Sequence, residues 1–297
     1  MMMGGVARVQ ALLMRLAYAQ LVLAGAAAVG VWIVQVLAGL PREPAPIVAV
    51  FLVFFAIYVL DRVTAEPDTD ALNHPERERF ARRHARKLLV LCAVAYGAAL
   101  VLASRGGLGR VLVLLLPLVA VLPYSFPFVP RPLARWLGFS RLKEILVVKN
   151  MVMAGTFATT LVLAPIPAQG ATVPWTLTAL WVFNFVRFFI NGVVFDMRDE
   201  QGDRLQGIRT IPVVLGGERT RKLLHVLNLA LGAFLLAVPV LDLGPPAVAA
   251  LAVGTPLTAW YLWRFVRTPS LHFLCDVVVD GELYVAGLAL LLVTNLS

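Results

Sequence analysis

Asp196, Asp199 and Asp203 recur at i, i+3 and i+7. On a helix that spacing puts three carboxylates on one face, where they repel one another. A divalent cation would relieve the repulsion, and Mg2+ takes carboxylate oxygens together with substrate phosphates. The competing reading is a solvated helix end, neutralised by Arg198 and Arg204. A second acidic run, Asp61, Glu66, Asp68 and Asp70, leads into basic residues that begin at Arg77. Asp61 either joins a metal or diphosphate site or pairs with Arg62 at a membrane surface. Lys149 and Asn150 interrupt an apolar stretch. A lysine within hydrocarbon costs about 2.5–3.5 kcal/mol on insertion scales, so it either faces a partner or cavity or snorkels outward from the first turn of its span.

These residues need elements to hold them, and composition says which kind. Of 297 residues, 60% are hydrophobic and 14% charged, against about 25% charged in soluble domains; mean hydropathy is +0.84. The apolar residues come in long runs instead of alternating, so the bilayer is the solvent. About nine spans are predicted, over 12–38, 46–60, 88–103, 111–123, 145–164, 175–195, 223–241, 246–265 and 277–292. The fourth is interrupted by Pro117 and Pro123. The fold class expected is an all-α membrane bundle of one domain, 1–297, with two weakly similar halves, because Asp61 and Asp196 each end a span and lead into a charged loop. The first run is too long for a cleaved signal and lacks a small-residue cleavage site.

Loops after even-numbered spans carry most of the Lys and Arg, while the other side holds Arg42, Arg105 and Arg110. That asymmetry puts the N-terminus and both acidic clusters on the cytosolic side of the cell membrane. The net charge of +9 does not signify nucleic acid, because the basic residues sit in short loops with no RNA-binding motif. Cys92 and Cys275 have neither metal-ligand spacing nor a disulfide framework.

The stretch Asp196-x-x-Asp199-x-x-Gly202-Asp203-x-x-x-Gly207-x-x-Thr210-x-Pro212-Val213-x-x-Gly216 closely resembles the second aspartate-rich motif of the UbiA superfamily of intramembrane prenyltransferases, with every fixed position present. The span count and the motif's place after the sixth span also fit. In the first motif of that family, the tail Asp70-x-x-Asn73-x-Pro75-x-Arg77 matches. Upstream, Arg62, Val63 and Glu66 stand where the family carries Asn, Asp and Asp. The resemblance implies Mg2+ held by Asp61, Asp68, Asp70, Asp196, Asp199 and Asp203. It implies a prenyl diphosphate gripped by Arg77, Lys143, Lys149, Asn150, Asn191 and Arg204, with Lys149, Arg187 and Asp199 closest to the chemistry. Asn184, Arg187 and Asn191 share one helix face. Arg187 is deep enough to point into the bundle, where it binds diphosphate, anchors an acceptor, or pairs with an interior acid such as Glu282. His272, Asp276 and Asp280 look like a metal set but read better as polar residues where the last span begins.

The activity implied is Mg2+-dependent transfer of a polyprenyl group from its diphosphate to an aromatic or other lipophilic acceptor, with membrane lipid as surroundings. Fixed charge would stabilise the departing diphosphate. An apolar lining with aromatic faces such as Phe188, Phe189, Tyr124 and Trp181 would protect an allylic cation. Two other readings stand beside it. One is a membrane terpene cyclase on the same scaffold, which needs no acceptor. The other is a lipid-binding or transport protein, whose mark would be broken helices in matching positions of both halves.

Overall fold

A computed structural model of the chain describes residues 2–64, 75–125, 129–130, 132, 139, 141, 145–167, 175–205, 207–237, 245–268 and 271–296. All regular elements among them are helical. In chain order they are α1 (Met2–Tyr18), α2 (Leu21–Leu37), α3 (Pro44–Thr64), α4 (Pro75–Ser104), α5 (Leu108–Ser125), α6 (Val148–Leu163), α7 (Trp175–Leu205) and α8 (Ile211–Leu215). Then follow α9 (Gly217–Ala237), α10 (Pro245–Ala252), α11 (Gly254–Phe265), α12 (Leu271–Phe273), a π-helical turn over Leu274–Val279, and α13 (Glu282–Leu296). Among the described residues each predicted apolar run falls mainly on helix, and that over 246–265 is divided between α10 and α11 at Val253. Pro117 lies within α5 without ending it.

Pro44–Thr64, Arg82–Ser104 and Trp175–Leu205 are each long and apolar enough to cross a bilayer alone. Two further spans form if the bent pairs Val6–Tyr18 with Leu21–Leu37, and Leu271–Val279 with Glu282–Thr294, are each counted as one. Leu108–Leu122 and Val148–Leu163 are apolar but shorter. The surface is inverted relative to a water-soluble protein. Val48, Val94, Val101, Val119, Leu229 and Leu288 are exposed, whereas Gln35, Asn184, Arg187, Asn228 and Glu282 are buried. Apolar outside and polar inside is what lipid demands of a helical bundle. The chain is a multi-pass integral membrane protein.

The first predicted span needs correction. Residues 12–38 are not one helix, because the chain turns by 77° between α1 and α2. Gln20 occupies the left-handed region at φ 63°. Its side-chain amide donates to the Ala17 and Tyr18 carbonyls at 3.0 and 3.4 Å, satisfying acceptors that the end of α1 leaves open. Neither Gly nor Pro marks this break, which is why an apolar count runs through it.

The helices close into a ring. α3 packs on α2, α4 and α5; α6 joins α5 to α7; α9 joins α7 to α10 and α11; and α13 returns to α2. One apolar core fills the α2–α6 side, around Val31, Val53, Phe54, Ala99 and Leu161. Another fills the opposite side, around Ile190, Val194, Leu224, Tyr261 and Leu262. Between them lies a central cavity. α7 has 31 residues, about 46 Å at helical rise, against a hydrocarbon core of about 30 Å. Its stretch from 175 to 195 already spans about 31 Å. Asp196 therefore sits where the helix leaves the hydrocarbon, and the rest of the acidic ladder stands beyond it.

Candidate active site

The site is built on the far end of α7. Asp196, Asp199 and Asp203 all lie on this helix, as their spacing predicts. Gly207 ends it with φ +69°. The Gly207 N–H donates to the Arg204 carbonyl at 3.3 Å and the Ile208 N–H to the Asp203 carbonyl at 2.9 Å, a Schellman closure that needs a residue tolerant of the left-handed region. Thr210 then opens α8 in an extended conformation, with Pro212 in its first turn. Gly216 closes α8 at φ +79°. Gly207, Thr210, Pro212 and Gly216 of the motif are thus helix starts and stops.

Opposite stands the start of α6. Val147 has φ 68°, and the Val148 N–H donates to the Leu146 carbonyl at 2.8 Å. This is a γ-turn centred on a β-branched residue, a strained arrangement. Strain of this kind collects at functional sites, and here it delivers the next two side chains. Lys149 Nζ lies 2.6 Å from Asp196 Oδ1, and Asn150 Nδ2 donates to Asp196 Oδ2 at 2.8 Å. Lys149 turns inward to the ladder and does not snorkel outward. Gly192, one turn before Asp196, lies beside Asn150, where an added Cβ would come 3.7 Å from the Asn150 amide carbon.

Arg198 organises the other flank. It grips Asp199 with two hydrogen bonds of 2.9 Å and reaches Asp276 Oδ1 in the π-helical turn at 2.7 Å. Its guanidinium also lies over the Phe195 ring, 4.9 Å from the centroid. Arg204 points away, 60% exposed, and pairs with Glu200 at 2.7 Å. Asp61 lies in the last turn of α3 and lines a second, smaller hollow with Tyr58, Pro117 and Thr156. Arg77 falls on α4, with its side chain outside the described residues. Glu66, Asp68, Asp70, Asn73 and Lys143 also lie outside them.

Among the described residues, no three His, Cys, Asp or Glu side chains converge as a ready-made metal site. Asp196 is turned onto Lys149, and Asp199 onto Arg198. The donor set nonetheless suits a hard divalent cation. It consists of carboxylate oxygens on one helix face, with a lysine beside them to meet phosphate.

A cavity adjoins this site, and Gly192 and Phe195, just before Asp196 on α7, belong to its wall. Phe54, Tyr58, Phe157, Phe183, Phe188 and Phe195 contribute to its wall. Phe157 is the hub, with ring centroids of Phe54, Tyr58 and Phe188 at 4.8, 5.7 and 6.0 Å. Of the aromatic residues anticipated as lining, Phe188 is there. Phe189 packs in the apolar core. Trp181 stacks on Phe185 and donates to Thr159. The Tyr124 side chain is outside the described residues. Asn184, Arg187 and Asn191 do share a face, and all three line the cavity. Arg187 pairs with Glu282 at 3.2 Å. Asn228, Gly254, Thr258 and Tyr261 were not singled out by sequence, yet all join this polar group. Asn228 Oδ1 accepts from Arg187 at 3.1 Å, and Tyr261 donates to Asn191 Oδ1 at 3.0 Å. Asn228, polar between two leucines in a span, was the available signal.

An apolar, aromatic-walled cavity thus lies next to a carboxylate ladder paired with a lysine, inside a bundle of membrane helices. The UbiA prenyltransferase family model matches residues 24–272, and the chain belongs to that family; it is a transferase. A UbiA homolog from Aeropyrum pernix K1 shares the fold, with TM-score 0.66 at 13% identity, covering 91% of this chain and 98% of that one. A UbiA homolog from Archaeoglobus fulgidus, bound to GPP and Mg2+, gives TM-score 0.61 at 16% identity, covering 92% and 99%. A structure of digeranylgeranylglyceryl phosphate synthase gives 0.55 at 14% identity, covering 94% and 98%. No curated protein matches the chain.

Proposed function

We propose that this chain transfers a polyprenyl group from a prenyl diphosphate to an aromatic or other lipophilic acceptor, with Mg2+ required. The observation that carries this is the meeting of Lys149, Asn150 and the carboxylate of Asp196, next along α7 to Gly192 and Phe195, which line an aromatic-walled cavity. Asp196, Asp199 and Asp203, together with Asp61, Asp68 and Asp70 of the first motif, would hold Mg2+, which would supply positive charge to neutralise the diphosphate. Lys149 and Asn150 exchange Asp196 for the diphosphate oxygens. Arg77, Lys143 and Asn191 add hydrogen bonds around it, whereas Arg204, exposed and paired with Glu200, stays outside.

The allylic C–O bond then breaks and its electron pair leaves with the diphosphate. Lys149 meets the charge as it grows on that oxygen. The rings of Phe157, Tyr58 and Phe188 face the allylic cation without offering a nucleophile, and the apolar wall excludes water. An acceptor carbon supplies the pair for the new bond and loses a proton. The basic loops beside the motifs support a cytosolic placement of this site and of the N-terminus.

The test is incubation of purified chain and Mg2+ with prenyl diphosphates of several lengths and a mixed acceptor pool, with products read by mass spectrometry. Diphosphate release that requires an acceptor, together with a prenylated product, is expected. Release with a hydrocarbon or terpene alcohol and no acceptor would instead mark a cyclase. No release under any condition would mark a binding or transport protein.

A further inference from the structure

The Arg187–Glu282 pair is not consumed by that mechanism. α7 carries Arg187 nine residues before Asp196, about 13 Å deeper along its axis. Arg187 and Glu282 are only 3% and 4% exposed, and both belong to the cavity wall. The guanidinium is held from several sides. Nε lies 3.2 Å from Glu282 Oε1. Nη1 donates to Asn228 Oδ1 at 3.1 Å, to the Gly254 carbonyl at 3.4 Å and to Thr258 Oγ1. Asn228 is itself fixed by donating to the Thr255 carbonyl at 2.9 Å. Arg187 Nε, Arg187 Nη2 and Glu282 Oε2 are buried and make no hydrogen bond among the described residues. The first two are donors and the third is an acceptor.

We propose that this pair is the subsite that selects the acceptor substrate, and that it takes a neutral hydroxyl group. The inference rests on the prenyl-transfer reading above. A hydroxyl both donates and accepts, so a single group satisfies Glu282 Oε2 and Arg187 Nη2 together. Charge decides the class. Glu282 already balances Arg187, so an anionic acceptor would bring an uncompensated negative charge into a low-dielectric wall. Gly254 keeps the space open, since a Cβ there would come within 2.8 Å of Glu282 Oε1 and 2.9 Å of Arg187 Nη2. Asn191, Gly192 and Phe195 continue the same wall toward Asp196. An acceptor anchored by its hydroxyl thus extends back toward the bond that breaks.

The full chain in lipid nanodiscs, with Mg2+ and geranyl, farnesyl or geranylgeranyl diphosphate, is given three acceptors in separate arms. Trimethylhydroquinone offers aryl hydroxyls on a neutral molecule, a 1-O-alkylglycerol alkyl hydroxyls on a neutral molecule, and 4-hydroxybenzoate an aryl hydroxyl on an anion. The wild type should favour one neutral arm over the anion by at least about tenfold in kcat/KM, and which arm responds names the source of the hydroxyl. Glu282→Gln should shift preference toward 4-hydroxybenzoate while leaving the KM of the prenyl diphosphate unchanged. Gly254→Ala, which crowds the pair from the opposite side, should lower kcat/KM for the neutral acceptor alone. A wild-type preference for 4-hydroxybenzoate overturns the subsite without any variant. So does a Glu282→Gln protein that changes the diphosphate KM and keeps the acceptor ranking. Absence of diphosphate release in every arm overturns the prenyl-transfer reading as well.

Discussion

Lys149 concentrates the account at the scale of a single residue. Its ammonium sits 2.6 Å from Asp196 Oδ1 with both side chains about nine-tenths buried. A pair so enclosed is costly to break by removing one member, about 3–5 kcal/mol, because the other charge is left alone. Lys149→Ala therefore does two things. It strands Asp196, and it removes the fixed charge that meets the departing diphosphate. The expected result is a fall in diphosphate release of about 10²–10³-fold at saturating Mg2+, followed by a coupled phosphate assay. Arg204 is the contrast. Exposed and paired only with Glu200 across one helical turn, it belongs to the class of surface pairs contributing about 0–1 kcal/mol. Arg204→Ala should change release by less than about threefold.

At the scale of elements, the glycines of the second motif set where α7 stops and α8 starts. Gly207→Ala places a Cβ at φ +69°, which costs roughly 1–2 kcal/mol. The melting temperature in detergent should fall accordingly, with retained but reduced activity because Thr210 and Asp203 lose register. The carboxylate ladder, its helix and its turn residues were all legible in the sequence, because they obey local rules of spacing and capping. The break at Gln20 was not. Its cause is a side-chain amide bonding to its own backbone, and an apolar count cannot register that. The π-helical turn escaped for a similar reason. Asp276 read in the sequence as a polar residue where the last span begins, and it is buried and bound to Arg198. Only tertiary packing brings Leu274–Val279 against α7. Asn228 and Thr258 were likewise isolated polar residues until α9 and α11 met around Arg187.

At the scale of the whole molecule, the ring of helices has a direction. The motif loops are basic and the opposite loops nearly bare, so the carboxylate ladder faces the cytosol on this account. Cys92 and Cys275 are buried, which makes introduced cysteines readable by membrane-impermeant maleimide. Glu218→Cys, at an exposed site beside the motif, should label only from the cytosolic side. Arg105→Cys, at the far end of α4, should label only from the other. The reverse pattern would invert the orientation. The central claim is that the α7 carboxylates work on a prenyl diphosphate, and Asp199 tests it most directly. Its partner Arg198 stays held by Asp276 when the aspartate is removed. Mg2+-dependent diphosphate release with acceptor present should fall in the Asp199→Ala protein by at least about a hundredfold, with the melting temperature nearly unchanged. Release at the wild-type rate from that variant would contradict the account.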